Sequence, residues 1–155
     1  METKIGIVVG SKSDLPLIKG CENVLDLYGI KYELKVLSAH RTPDETAEYS
    51  RNAKKSGIDL IIAGAGMAAH LAGAIAAQTT LPVIGIPIKS GDLGGLDSLL
   101  STVQMPSGIP VATVAVNGAE NAAHLAAQIL ALKYPEIELK ITEIRKEMKK
   151  KVLSN

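Results

Sequence analysis

Two short polar strings carry the residue types that could do chemistry: Gly10-Ser11-Lys12-Ser13-Asp14 and Ser38-Ala39-His40-Arg41-Thr42-Pro43-Asp44-Glu45. The second sets a histidine beside an arginine. An imidazole, with an ordinary pKa of about 6.5, exchanges protons near neutral pH. A guanidinium is a permanent bidentate donor to phosphate or carboxylate. A surface His-Arg pair beside a helix cap is the plainer alternative. The first string is neither G-x-G-x-x-G nor a Walker A loop. Gly10 permits a tight turn, Ser11 and Ser13 offer hydroxyls, and the free N–H groups of a helix start favour an anion. Asp14 would repel a phosphate, but it could accept from ribose hydroxyls or cap the helix. A solvated turn with a capping residue fits the same letters, and local sequence leaves both readings open.

The other candidates are weaker. His70 lies on an apolar, alanine-rich stretch just after Gly64-Ala65-Gly66. A lone histidine there is ordinarily a core or interface residue, though its place beside that turn suits a supporting role. His124 has no polar company along its helix and reads as structural. No pair of histidines or carboxylates has metal-ligand spacing, so no metal is expected. Cys21 shares a helix face with Leu17, Val24 and Tyr28 and reads as a core residue.

These residues need elements to position them. Lys4–Val9 reads as a buried strand ahead of the first polar string. Leu17, Cys21, Val24, Leu25 and Tyr28 then recur on one helix face, with Pro16 in the first turn and Gly29 as terminator. Residues 32–37 form a second strand leading into the His-Arg string. Thr42, Pro43 and Glu45 compose a capping box, which predicts a helix running to Ser56 and closed by Gly57. Residues 58–63 are a third, continuously apolar strand of the kind covered on both faces.

Gly64-Ala65-Gly66 is expected as a turn, followed by a helix over 68–78. There Ala69, Gly73 and Ala77 would let another helix pack very close. Val83–Ile88 is the fourth strand, Leu96–Val103 a helix, 111–116 the fifth strand and 119–132 an amphipathic helix. A charged helix at about 135–152 closes the chain in Lys149-Lys150-Lys151, a solvated face. Residues 89–95 and 104–110, rich in Gly, Ser and Pro, are surface connections or loops that close over a ligand. The pattern predicts one α/β domain over residues 1–155. Its form is a three-layer flavodoxin-like (Rossmann-like) parallel sheet of about five strands, with helices on both faces and an extra C-terminal helix. In such folds the loops leaving the carboxyl ends of the strands form the ligand crevice.

Composition narrows the function classes. Hydrophobic residues are 46% and charged ones 21%, with a net charge of +1, so no polyanion partner is expected. Aromatic residues are only 3%, with no Trp and no Phe, which leaves few platforms for stacking single-stranded nucleic acid. A single cysteine excludes an internal disulfide and suits a reducing cytosol. A strand within a few residues of the start leaves no room for a signal peptide. The longest apolar stretch, 65–77, contains His70 and two glycines and is too short to span a bilayer. A cytoplasmic protein is expected.

Read in order, GSKSD, SAHRTPD, AGAG-x-AAHL, GLDSLLSTVQMP-x-GIPVATVAV and NAAHLAAQIL resemble the catalytic subunit family of phosphoribosylaminoimidazole carboxylase. The likeness is to its bacterial-type 5-(carboxyamino)imidazole ribonucleotide mutase branch and covers nearly the whole chain. The resemblance implies a flavodoxin-like octamer without metal or organic cofactor. It implies transfer of a carboxylate from an exocyclic amine to ring carbon C4, with His40 as the acid/base group. It further implies phosphate contacts at Ser11, Ser13, Ser38 and Arg41 and a ribose contact at Asp14. Gly64, Ala65, Gly66, Ala68, Ala69 and His70 would line the region for carboxylate and carbon dioxide.

Arg41, where direct carboxylases resembling this family typically carry Lys, favours the mutase branch; so does Gly64-Ala65-Gly66-Met67 in place of a GRSN-like string. The departures are Met67 where the family usually has Gly, Ala72 where Pro is usual, and Gly91-Asp92 in a variable loop. Met67 is expected to pack against the next helix. The rivals are direct carboxylation by carbon dioxide and, in another class, a non-catalytic nucleotide-binding module. A phosphoacceptor version of the latter would need acidic residues where this chain has GSKSD and Gly64-Ala65-Gly66.

Overall fold

The structure is a computed structural model describing residues 3–154. Strands β1 (Lys4–Val9), β2 (Lys31–Val36), β3 (Leu60–Gly66), β4 (Val83–Ile88) and β5 (Ala112–Thr113) form one parallel sheet in the order β2-β1-β3-β4-β5. Helices α1 (Leu15–Tyr28), α2 (Pro43–Asn52), α3 (Leu71–Ala76), α4 (Leu96–Val103) and α5 (Ala119–Ala131) alternate with them, and α6 (Pro135–Leu153) ends the chain. This is the flavodoxin-like, doubly wound order. The path goes outward from β1 to β2, then returns across β1 to β3. The loops after β1 and β3 therefore part at their carboxyl ends and leave a crevice.

Alternation of side chains across the pleat divides the core in two. Ile5, Ile7, Val9, Leu60, Ile62, Ile84 and Ile86 face α1, α5 and Ile137 of α6. Val8, Ile61, Ala63 and Val83 face Leu71, Ala72 and Ile75 of α3. On that second face Gly6 has no room for a side chain, because a Cβ there would collide with the Tyr49 hydroxyl. Edge strand β2 carries charges, including Glu33 paired with Lys4, which discourages pairing with a foreign strand.

Close helix packing occurs between α1 and α5. Ala122, Ala123, Ala126 and Ala127 are fully buried, and a Cβ on Gly20 would lie 3.0 Å from Glu120 Cγ. Helix α3 touches both α2 and α4, but not at its glycine. Gly73 instead faces Met105, whose Sδ would be 2.9 Å from an added Cβ.

Several boundaries differ from expectation. Gly64-Ala65-Gly66, expected as a turn, is the end of β3 and pairs with Ile86, Pro87 and Ile88. Glycine is required at Gly66, where a Cβ would collide with the Ser90 hydroxyl and sit 3.1 Å from the Ile88 carbonyl oxygen. Helix α3 is shorter than 68–78, because the chain turns through Met67 at φ +54° before the helix begins. Strand β5 is two residues long. Pro87 has no N–H to give on that side, and its carbonyl is taken by the Asn117 N–H at 2.8 Å. The Thr42–Glu45 capping box does not form.

Cys21 is fully buried, and desolvation, with Glu22 nearby, pushes its thiol up to about 12, so it is no nucleophile. His124 is not without polar company, because its Nδ1 lies 2.8 Å from the Tyr28 hydroxyl.

Candidate active site

The crevice at the carboxyl edge has a volume of about 270 Å³ and is walled by the loops after β1, β2, β3 and β4. Strand β1 stops at Gly10, whose N–H reaches the Gly64 carbonyl at 3.1 Å. The chain then tightens into a short 3-10 turn, Lys12–Asp14, which leads into α1. The Ser11 hydroxyl oxygen accepts from the Ser13 N–H at 3.3 Å and from the Ser13 hydroxyl at 2.9 Å. That arrangement leaves the Ser11 hydroxyl proton for an anion, while the Asp14 N–H is taken by the Ser11 carbonyl at 3.1 Å and the Leu15 N–H by the Lys12 carbonyl. Asp14 makes no side-chain cap bond; the turn is capped instead by Ser11, through its bond from the Ser13 N–H. Desolvation pushes the Asp14 carboxyl above the usual range, against the Ser11 backbone, the Arg41 charge and Ser13.

After β2 the chain is held by Thr42. Its hydroxyl accepts from the Ser38 N–H at 2.8 Å and donates to the Ser38 carbonyl at 3.1 Å. This clamp replaces the expected cap and folds residues 38–42 into a tight loop. Ser38 Oγ accepts from the Arg41 backbone N–H at 3.1 Å and from Arg41 Nε at 3.4 Å. Both acceptor sites are thereby used, and the Ser38 hydroxyl proton is free for a ligand oxygen. Arg41 Nη2 also donates to the Gly10 carbonyl at 3.2 Å, so one guanidinium ties the two polar strings together.

The histidines meet at the other end of the crevice. His40 Nε2 lies 2.8 Å from His70 Nδ1, with ring centroids 4.9 Å apart and planes at 85°. One ring nitrogen donates and the other accepts, so each ring sets the tautomer and orientation of its neighbour. His70 stands at the N-cap of α3 and is exposed rather than part of the core.

Of the residues singled out from sequence, Ser11, Ser13, Asp14, Ser38, His40, Arg41, Ala65, Gly66, Ala68 and His70 all line the crevice. Gly64 and Ala69 do not; both are buried behind it, Gly64 against Ile18 and Ile88. Leu71 and Ser90 line it without having been singled out. Ser90 had one available signal, its place as the second residue after a buried strand. Met67 lines the crevice too and does not pack into the next helix, being 60% exposed. Among the described residues, no three His, Cys, Asp or Glu side chains gather where a metal ion could be held.

The comparisons with known proteins bear on the whole chain. The family profile described as AIR carboxylase matches residues 4–151. A Thermotoga maritima protein named N5-carboxyaminoimidazole ribonucleotide mutase is 57% identical over 150 residues, covering 97% of this chain and 88% of its own. The protein of that name from Pyrococcus abyssi is 60% identical, covering 95% and 84%, and that from Vibrio parahaemolyticus is 53% identical, covering 98% and 96%. The crystal structure of Treponema denticola PurE superposes with a TM-score of 0.87 at 28% identity, covering 98% of this chain and 95% of that one. With one family profile and relatives of this identity spanning nearly every residue, the chain belongs to the AIR carboxylase family.

Proposed function

We propose that this protein is a 5-(carboxyamino)imidazole ribonucleotide mutase of purine biosynthesis. It moves the carboxylate from the exocyclic amine to ring C4, giving 4-carboxy-5-aminoimidazole ribonucleotide. The observation that carries this reading is a paired imidazole, His40 on His70 at 2.8 Å, in the same crevice as an arginine and serine cradle. The names of the relatives at 53–60% identity point the same way.

The chemistry needs few groups. Ser11, Ser13, Ser38 and Arg41 hold the phosphate, and Asp14 accepts from the ribose hydroxyls. As the bond from the amine nitrogen to the carboxylate carbon breaks, carbon dioxide leaves and the electron pair stays on nitrogen, which takes a proton from His40. The ring is enamine-like, so C4 itself attacks the carbon dioxide, and no covalent enzyme intermediate is required. His40, now a base, removes the C4 proton and is restored. His70 orients His40, while Ala65, Gly66 and Ala68 wall the reacting end, with Gly64 and Ala69 behind them. Holding carbon dioxide against C4 supplies much of the rate by proximity, and excluding water keeps it from escaping.

No metal or organic cofactor takes part in these steps. We place the enzyme in the cytosol as a homo-oligomer, an octamer by family resemblance. No helix among the described residues is long and apolar enough to cross a membrane. Leu96, Leu100 and Val103 form an exposed stripe on α4, with exposed Leu93 just before it. A stripe of that kind suits burial against a second copy.

Assays with each substrate separate the mutase from a direct carboxylase. The expected result is turnover of the carboxyamine without added bicarbonate. Activity with the amine plus modest bicarbonate, and none with the carboxyamine, would overturn the reading. Nucleotide binding with no turnover of either substrate would leave a binding module.

A further inference from the structure

Strand β4 outlasts its ladder with β5, which pairs only Ile84 and Gly85. Beyond that ladder a single residue bonds the end of β4 twice. The Asn117 N–H donates to the Pro87 carbonyl at 2.8 Å, and the Asn117 side-chain Oδ1 accepts from the Lys89 N–H at 2.9 Å. A residue of a parallel strand reaches its neighbour in the same pattern, through its backbone N–H and C=O. Here the backbone cannot do both. Asn117 lies at φ +58°, and its own carbonyl is taken by the Ala119 N–H at 2.9 Å. The side-chain amide oxygen stands in for it, and asparagine is one of the few residues that enter this left-handed region readily.

The clamp fixes the start of the loop that follows β4. Its next residue, Ser90, is half-buried, lines the crevice and gives its hydroxyl to no other described residue. That hydroxyl fills the space a side chain on Gly66 would need, which seats it against the end of β3 in the crevice that holds His40 and His70. Asn117 itself is not part of the crevice lining.

We propose that Ser90 is a substrate-binding residue that gives its hydroxyl proton to the migrating carboxylate, and that Asn117 is the positioning residue that holds it there. The proposal rests on the mutase reading. In that reading Ser11, Ser13, Ser38 and Arg41 take the phosphate, and His40 and His70 take the proton chemistry. The carboxylate is a second anion, and Ala65, Gly66 and Ala68 beside it carry no side-chain donor. A serine hydroxyl supplies one O–H to a carboxylate oxygen.

Calorimetry tests this by comparing two nucleotides, the C-carboxylated product and the amine that lacks the carboxylate. S90A is expected to bind the carboxylated nucleotide about tenfold more weakly and the amine within about twofold of the wild type. Unchanged binding of the amine also shows that the variant is folded. N117G keeps the left-handed backbone and removes only the side-chain acceptor, so it should show the same selective loss. N117D keeps an oxygen for the Lys89 N–H and should stay within about twofold of the wild type. In an S90A background, N117G should add no further loss. An unchanged S90A, or equal losses for both nucleotides, overturns the role of Ser90. A further loss in the double variant overturns the action of Asn117 through Ser90. Wild-type protein that makes no product from the carboxyamine overturns the mutase reading by itself, because neither binding measurement depends on turnover.

Discussion

At the residue scale the decisive arrangement is His40 against His70. Removing the proton carrier should stop the chemistry without emptying the site. H40N is expected to abolish turnover while ribonucleotide affinity, measured by calorimetry, stays within about tenfold, or roughly 1.4 kcal/mol. A fully active H40N would refute the acid/base role. Arg41 carries a different burden, because one guanidinium holds Ser38 and the Gly10 carbonyl together. R41K keeps the charge but not the planar fork, so KM for the ribonucleotide should rise by about tenfold with a smaller change in kcat. His40 and Arg41 were legible from residue type and adjacency. His70 was legible only as a supporting residue beside the Gly64-Ala65-Gly66 turn; its partner was not, because the contact with His40 crosses 30 positions that no local pattern announces.

At the element scale the loops matter more than the helices they precede. Thr42 has the letters of a helix cap, yet its hydroxyl closes the loop from Ser38 by two hydrogen bonds. T42A leaves the Ser38 N–H without its partner. It should cost about 1–2 kcal/mol in urea denaturation and lower kcat/KM, whereas T42S should recover both. Gly6 is the matching constraint beneath the site. G6A would drive a methyl into the Tyr49 hydroxyl and should cost about 1–3 kcal/mol by the same measurement. Strand and helix existence was readable here because apolar periodicity reports burial directly. The shortened α3 and β5 were not, because they depend on Met67 turning the chain and Pro87 withholding an N–H.

At the scale of the whole molecule, α6 closes the far flank of α1 and α5 and draws Tyr28, His124 and Arg145 around one groove of about 500 Å³. Desolvation holds His124 below its ordinary 6.5, with Glu120 opposing and Arg145 assisting. The unfolded chain then binds that proton more readily than the folded one. The contribution of His124 to stability is complete above about pH 6.5 and is lost as the pH falls below it. Urea midpoints between about pH 8 and about pH 5 should decline less steeply in H124N than in the wild type. The exposed stripe at Leu96, Leu100 and Val103 leads to a further expectation, that the wild type is an oligomer by light scattering at micromolar concentration. L100E should weaken the assembly; a monomeric wild type would refute burial of this stripe against a second copy.

The sequence by itself determined the five strands, the alternating helices and the two polar strings at strand ends, since each is written in local periodicity and turn chemistry. It also carried the ordered motifs that mark the family. Tertiary structure alone decided that Arg41 joins the two strings and that His70 meets His40 across the crevice. Those contacts form between loops that are separate in the chain. They meet because a sheet that reverses its winding between β1 and β3 opens its crevice there.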